Sequence, residues 1–410
     1  MQHRADRRPT RDAWTLVICL SRVCLFTNFM VVAASIPVLI KAWDLSAAQA
    51  GSIVSSFTIG YAVSLFAFSW AADHFGAKRI ALVSAWASAA SALTFAFFAR
   101  DYTSAMLLYC LAGLMQGGTY TPVIILFSEH YPPNRRGGAV GLLIASTSVG
   151  YATSLLLSGY ALSLGGYQAA FILTGLFPLA GAALLHATLM RTPNTVHPRN
   201  REMTLGAALL KVPAARNVIF GYIAHNWELL GMWAWAPAFL AASLALHGST
   251  TVSATEIGAY ISAASHILGA SASLSMGALS DRLGRRVVLI STAAISMLLS
   301  FTIGWMIMLP IGLLALFALA YSFSALGDSP VLSTALTETV PPALLGGALA
   351  VRSLAGFAAG ATAPLAFGLV LDHMQAAGAA PAVSWGVSFA ALGIGGLLAT
   401  ACALGLRKAT

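Results

Sequence analysis

The sequence predicts an all-α membrane protein in which twelve transmembrane helices form two pseudo-symmetric six-helix bundles. Hydrophobic residues make up 58% of the 410 residues and charged residues only 9%, whereas a water-soluble domain carries about 25% charged residues. Apolar stretches of roughly 20 residues recur along the chain, and each can cross a hydrocarbon core of ~30 Å as a helix. A short charged sequence also occurs twice, about half a chain apart. Together these observations exclude a water-soluble globular fold.

Twelve apolar segments are candidate spans. They lie at 13–40, 48–72, 79–99, 103–128, 138–163, 168–190, 217–243, 254–280, 287–308, 311–336, 345–371 and 382–406. A polar, basic segment with three prolines, Pro193, Pro198 and Pro213, separates the first six spans from the last six. We therefore predict an N-terminal bundle over residues 1–190, a cytoplasmic linker over 191–216 and a C-terminal bundle over 217–410.

The loop after span two is repeated after span eight. The runs Trp70–Arg79 and Gly277–Arg286 both end an apolar segment with Asp-x-x-Gly and two basic residues. The Glu-x-x-Pro-Pro sequence that begins at Glu129 recurs at Glu338, 209 residues later. Two similar halves can rock about a site that lies between them, so the duplication predicts transport by alternating access.

The distribution of basic residues predicts the orientation. If the N-terminus is cytoplasmic, that side carries Arg4, Arg7, Arg8, Arg11, Lys78, Arg79, Arg135, Arg136, Arg191, Arg199, Arg201, Lys211, Arg216, Arg282, Arg285, Arg286, Arg407 and Lys408. The opposite side has only Lys41 and Arg100. This asymmetry predicts cytoplasmic termini and a bacterial inner-membrane location. It also accounts for the net charge of +9 without a nucleic-acid partner.

Ionisable side chains inside spans are costly and are functional candidates. The sequence places six there: Arg22, His225, Glu228, His266, Asp328 and Arg352. His225 and Glu228 are three residues apart and share a helix face, so they either carry a proton or satisfy each other. Asp328 and Arg352 reach a similar depth in neighbouring spans, which predicts an ion pair. Arg22 is then left without a carboxylate partner, which favours an anionic substrate.

The repeated loops, the Glu-Pro-Arg-Gly sequence after span four and the twelve-span layout together resemble the major facilitator superfamily. The resemblance implies that spans one, four, seven and ten line a central cavity. The residues that it favours for substrate binding and coupling are Arg22, Gln116, His225, Glu228 and Asp328. We expect His266, alone on span eight, to be a hydrogen-bonded packing residue.

The resemblance also implies two charged gates at the cytoplasmic side, each made by a loop aspartate, a basic residue and a glutamate. Transferred to this sequence, the first gate is Asp73, Arg79 and Glu129, and the second is Asp281, Arg285 and Glu338. Leu345 stands where the first half has Arg136, so we expect a thinner charge network at the second gate.

These observations predict a proton-coupled secondary transporter for a small organic anion such as a carboxylate, acting as a monomer in the lipid bilayer. An exporter of drugs or amphipathic compounds is the alternative. Gly113 and Gly150-Tyr151 stand where drug/proton antiporters of this family carry an arginine and a glycine-proline pair, which weighs against that alternative.

Two further readings remain open. A transition-metal carrier would use soft ligands, of which the sequence offers His225, Met232, Cys24, Met30 and Met115, but without clustered spacing. A non-transporting scaffold or sensor is the other. Because no phosphate-binding loop, HExxH sequence or GxSxG sequence occurs, we predict no enzymatic activity and no cofactor. The four cysteines lack the paired spacing of a disulfide or zinc site.

Overall fold

The computed structural model describes residues 12–196, 213–340 and 342–406. These ranges contain fourteen α-helices and no β-strand. The helices are α1 (Ala13–Leu25), α2 (Val31–Trp43), α3 (Ala47–Phe75), α4 (Ala77–Phe98), α5 (Tyr102–Gln116), α6 (Thr121–His130), α7 (Pro133–Leu189), α8 (Pro213–Leu246), α9 (Thr251–Leu283), α10 (Arg285–Ile303), α11 (Ile311–Gly327), α12 (Ser329–Thr339), α13 (Pro342–Ala376) and α14 (Pro381–Leu404).

The fourteen helices form the twelve predicted spans, so the predicted fold class is confirmed. Span one is α1 followed by α2, span four is α5 followed by α6, and span ten is α11 followed by α12. Helix α7 contains spans five and six, which join at a bend where Gly166 has a φ of 66°. The remaining helices are one span each. Most of the predicted linker and the basic residues at 4–11, 199–211 and 407–408 lie outside the described ranges.

Span one is interrupted, although the sequence predicts one continuous helix over 13–40. Residues 26–30 contain neither proline nor glycine, so no sequence signal marks the break. Backbone groups freed inside a membrane need partners from neighbouring helices. Gln116 Nε2 donates to the Leu25 carbonyl (3.0 Å), Tyr109 Oη donates to the Asn28 carbonyl (3.1 Å), and the Met30 amide donates to Ser154 Oγ (3.1 Å). Side chains of spans four and five therefore form hydrogen bonds with the backbone groups that the break leaves free.

The two halves contact each other at one end of the bundle. We call this the far end; the linker end is the opposite one, where α1 begins and α7 ends. At the far end Lys41 Nζ donates to Thr251 Oγ1 at 2.6 Å. The Asp372 carboxylate of α13 accepts the Ala47 and Ala48 amides, at 2.7 and 2.8 Å, and so caps the N-terminus of α3.

Spans two and eleven also touch backbone to backbone near the far end. A Cβ atom added at Gly51 would lie 2.2 Å from the Pro364 carbonyl oxygen, and one at Gly368 would lie 2.4 Å from the Ala47 carbonyl oxygen. Small residues permit this close approach between membrane helices. On α7 at the linker end, Gly137, Gly138 and Gly141 face open space. The halves are therefore packed together at the far end.

Candidate functional site

Arg22 lies buried in α1, and only 3% of its surface is exposed. Its Nε donates to Thr147 Oγ1 at 2.6 Å, and its Nη1 donates to the Thr119 carbonyl at 2.9 Å. The guanidinium also lies over the rings of Phe26 and Tyr120, 4.8 and 4.9 Å from their centroids. Among the described residues, Nη2 has no hydrogen-bond partner. The two N–H donors of Nη2, on a fixed, buried cation, thus remain for a ligand.

Arg352 in α13 is the corresponding buried cation of the second half. Its Nη1 donates to Ser333 Oγ at 2.9 Å, and its guanidinium lies 4.1 Å from the centroid of the Tyr222 ring. The predicted ion pair between Asp328 and Arg352 is not formed, so that prediction is wrong. Depth along two helices does not determine which way their side chains face, and Asp328 faces α8.

Asp328 instead contacts His225. His225 Nδ1 lies 2.9 Å from Asp328 Oδ1, and His225 Nε2 lies 2.8 Å from Ser329 Oγ. Both side chains are almost fully buried, and the Nδ1–Oδ1 contact is a close approach without hydrogen-bond geometry. An imidazole held between a carboxylate and a hydroxyl can accept or release a proton without losing its position.

Glu228 faces a different part of the second half. Ser296 Oγ of α10 donates to Glu228 Oε1 at 2.9 Å, and Gly396 of α14 approaches Oε2 closely. His225 and Glu228 thus have separate partners, and the alternative in which they satisfy each other is wrong. The three-residue spacing puts the two side chains on adjacent parts of the helix surface, where Glu228 contacts α10 and His225 contacts α12.

Gln116, predicted to line the cavity, uses its Nε2 to hold the break in span one, as described above. It is 2% exposed. His266 packs its ring 5.0 Å from the Trp233 ring and 5.5 Å from the Tyr151 ring, but its Nδ1 has no hydrogen-bond partner among the described residues. The described residues contain no group of three or more His, Cys, Asp or Glu that could hold a metal ion.

Aromatic rings from opposite halves meet one turn beyond the arginines, toward the far end. Tyr61 of α3 lies edge-on to Phe357 of α13, with 5.6 Å between centroids. Tyr151 of α7 lies edge-on to Trp233 of α8 at 5.4 Å. We call these four rings the aromatic floor. The four rings lie between Arg22 and the far end, so Arg22 is nearer to the linker end.

The second predicted gate is assembled at the linker end. Arg285 Nη1 lies 2.6 Å from Asp281 Oδ1, and Arg285 Nη2 lies 3.0 Å from Glu338 Oε1. Gly284 permits the turn between these helices with a φ of 87°. A basic residue at position 345 is therefore not required for Arg285 to join both acidic residues.

The first predicted gate has the same turn, since Gly76 has a φ of 88°. Asp73 is in the last turn of α3 and Glu129 in the last turn of α6, and both have interaction partners. A residue after span six also holds this loop: Asn194 accepts the Arg79 amide at 3.1 Å and donates to the Phe75 carbonyl at 2.9 Å. Asn194 was not predicted, because nothing in the repeat marks it.

Sequence reasoning also missed the groups that position the arginines. Thr147, Tyr120 and Tyr222 are ordinary components of apolar helices, and one residue in ten of this chain is aromatic. The weak signal that could have found them is their depth, since each lies at the level of an arginine, and Tyr120 and Tyr222 also lie on predicted inner spans. Asp372 was missed because it lies at a helix end, where acidic residues are common.

Comparison with known proteins agrees with this architecture. The family model of the Major Facilitator Superfamily matches residues 18–253. The hexuronate transporter of Bacillus subtilis is 26% identical over 207 residues, which cover 48% of each chain. The cis,cis-muconate transport protein of Acinetobacter baylyi is 24% identical over 359 residues, which cover 80% of each chain. The alignment with the hexuronate transporter thus spans about half the length of that protein.

A solved structure has the same fold over nearly the whole chain. It is a bacterial homologue of the human lysosomal transporter Spinster, in an inward-facing, occupied conformation. The TM-score is 0.72 with 16% identity, and the match covers 97% of each chain. At that identity the likeness concerns the fold alone. The family match covers more than half of the sequence, and the described helices supply the twelve spans, so this multi-pass membrane protein belongs to the major facilitator superfamily.

Proposed function

We propose that the protein is a proton-coupled secondary transporter that moves a small organic anion, such as a carboxylate, by alternating access. The observation that carries the proposal is the buried Arg22 guanidinium, whose Nη2 has no hydrogen-bond partner among the described residues. A buried cation is costly unless it is paired. A carboxylate ligand supplies the missing negative charge and accepts hydrogen bonds from Nη2.

Two relatives support a carboxylate substrate. The hexuronate and cis,cis-muconate transporters are named for carboxylate compounds. The alignments are partial or of low identity, so the names alone do not carry the substrate to this chain. They agree with what the chemistry of Arg22 favours.

Proton coupling would use the buried carboxylates of the second half. Asp328 lies against His225, and Glu228 lies one turn along α8 from His225. Membrane-buried carboxylates of this kind are typical components of proton relays. Substrate at Arg22 and a proton near Asp328 would lie in opposite halves, so that the rocking of the halves couples them.

The basic residues support an orientation with the linker end and both termini in the cytoplasm. In that orientation the far end, where the halves are packed together, faces outward. The structure would then be an inward-facing state, and the charged sets at Asp73 and Asp281 would close the cytoplasmic side in the opposite state. We propose that the transporter acts as a monomer.

The test is transport by purified protein in proteoliposomes, with labelled carboxylates and an imposed pH gradient. We expect Arg22→Ala to abolish binding almost completely, because a hydrogen bond to a charged group contributes ~1.5–3 kcal/mol. Arg22→Lys keeps the charge but loses the planar fork, so the apparent KM should rise. Arg100→Ala, in an exposed loop, is the matched control and should transport normally.

Proton coupling is tested in the same vesicles. Asp328→Asn and Glu228→Gln should each be compared for exchange of substrate and for uphill accumulation. If either group carries the proton, its variant keeps exchange and loses accumulation. Stabilisation of the protein only by cations or neutral amphipathic compounds, or normal binding by Arg22→Ala, would contradict the anion proposal and favour the exporter.

A further inference from the structure

Two guanidiniums are buried in the middle of the bundle, one in each half. Arg22 is 3% exposed and Arg352 is 8% exposed. Within the described ranges, neither lies within ion-pair distance of a carboxylate, because Asp328 contacts His225 and Glu228 contacts Ser296. Burial of a cation without a directly paired anion is unfavourable. A ligand with one anionic group could pair with only one of the two guanidiniums.

The two guanidiniums are held apart by different helices. Arg22 donates to Thr147 and to the Thr119 carbonyl, whereas Arg352 donates to Ser333. Each also lies over its own tyrosine ring, Arg22 over Tyr120 and Arg352 over Tyr222. These contacts fix both side chains, so that neither is free to swing onto a group held by the other.

Each guanidinium keeps one buried nitrogen without a hydrogen-bond partner among the described residues. For Arg22 this is Nη2, and for Arg352 it is Nε. Phe26, which lies under the Arg22 guanidinium, packs edge-on against Tyr61, and Tyr61 packs edge-on against Phe357, five residues from Arg352 on α13. Two separate donors with an aromatic surface between them suit a ligand whose two anionic groups are joined by an apolar spacer.

The backbone of α13 near Arg352 packs directly against the Tyr222 ring of α8. A Cβ atom added at Gly356 would lie 2.5 Å from Tyr222 Cε1. Only a residue without a side chain lets α13 lie this close to the Tyr222 ring, and Arg352 is one turn away on the same helix. The ring that supports the second guanidinium is therefore held by direct packing between spans seven and eleven.

We propose that Arg352 is a second anion-binding residue and that the substrate carries two anionic groups, one held by Arg22 and the other by Arg352. This inference rests on the proposed function and narrows the substrate class to dianions such as dicarboxylates. It also gives the ligand one contact in each half, so that a bound dianion bridges the two bundles.

The experiment is calorimetric titration of the full-length protein in nanodiscs at neutral pH. The probes are α,ω-dicarboxylates of increasing chain length, each paired with the monocarboxylate of the same length. The wild type should bind its best dicarboxylate about ten- to a hundredfold more tightly than the matched monocarboxylate, as expected for one further charged hydrogen bond. Arg352→Gln should remove this preference and leave monocarboxylate affinity within a few-fold of the wild type.

Three comparisons interpret the result. Arg352→Lys should keep part of the preference, and Arg100→Gln should keep all of it. Retained monocarboxylate binding shows that the Arg352→Gln protein is folded. If the wild type does not prefer dicarboxylates, or if Arg352→Gln keeps that preference, the proposal that Arg352 binds an anionic group is overturned. The proposed function still stands in that case if Arg22→Ala loses binding. Failure of every carboxylate to bind the wild type contradicts the proposed function itself.

Discussion

At the far end of the bundle, polar contacts join the two halves, whereas at the linker end the Arg285 contacts join residues of one half. Asp372 of the second half caps α3 of the first, and Lys41 donates to Thr251 across the same boundary. Arg285 binds Asp281 and Glu338, all within the second half. The difference teaches that, of these polar contacts, those at the far end are the ones that join the two halves. Substitutions at the two ends should therefore have different consequences.

We expect the largest effect from Gly51→Ala. The new Cβ would meet the Pro364 carbonyl oxygen at 2.2 Å, and backbone on both sides leaves little room to adjust. Overpacking of this kind costs about 1–3 kcal/mol, so the far end should open and transport should fall at least tenfold. The measurement is the distance between spin labels at Ala42→Cys and Ala376→Cys, which should lengthen.

Gly312→Ala is the matched control for that experiment. Gly312 also lies near the far end, but a Cβ atom there would meet nothing within 4 Å. Its label distance and transport rate should equal those of the wild type. An unchanged distance in Gly51→Ala would show that the backbone contact does not set the closure.

A smaller effect is expected from Asp372→Asn. The substitution keeps the shape of the side chain but removes the charge that faces the N-terminus of α3. A carboxylate in this position contributes about 1–2 kcal/mol, so the closed far end should lose about tenfold in population. The same label pair should report a mixture of short and long distances.

Asp101→Asn tests whether the effect of Asp372→Asn arises because Asp372 links the two halves. Asp101 also caps a helix at the far end, since the Ser104 amide donates to its Oδ1 at 2.9 Å, but both residues belong to the first half. It should therefore leave the label distance unchanged. Equal effects of the two substitutions would mean that general helix capping, and not the link between halves, stabilises this state.

The smallest effect is expected from Glu338→Gln at the linker end. Its partner Arg285 is in the same half, and exposed ion pairs contribute only ~0–1 kcal/mol. The far-end label distance should stay unchanged, and the transport rate should fall about fivefold at most. A much larger loss of transport would show that Glu338 has a second partner, across the boundary, in the opposite conformation.

Much of the fold follows from sequence because hydropathy and repeats are local signals. The twelve spans and the Arg285 set with Asp281 and Glu338 were predictable, since spacing along the chain determines both. The Arg352 contacts were not, because hydropathy gives the depth of a residue but not the direction that its helix turns it. The break after Leu25 was also hidden, since its stabilising partners, such as Gln116 and Tyr109, come from another span.

That break has a mechanical consequence for span one. Helix α1, which carries Arg22, packs against α7 of its own half, whereas α2 packs against α8 and α9 of the other half as well as against α7. A continuous helix would transmit any tilt of its outer part to the arginine. The non-helical joint at residues 26–30 separates the two movements. The outer segment can therefore adjust to the opposite bundle while the Arg22 guanidinium keeps its own surroundings.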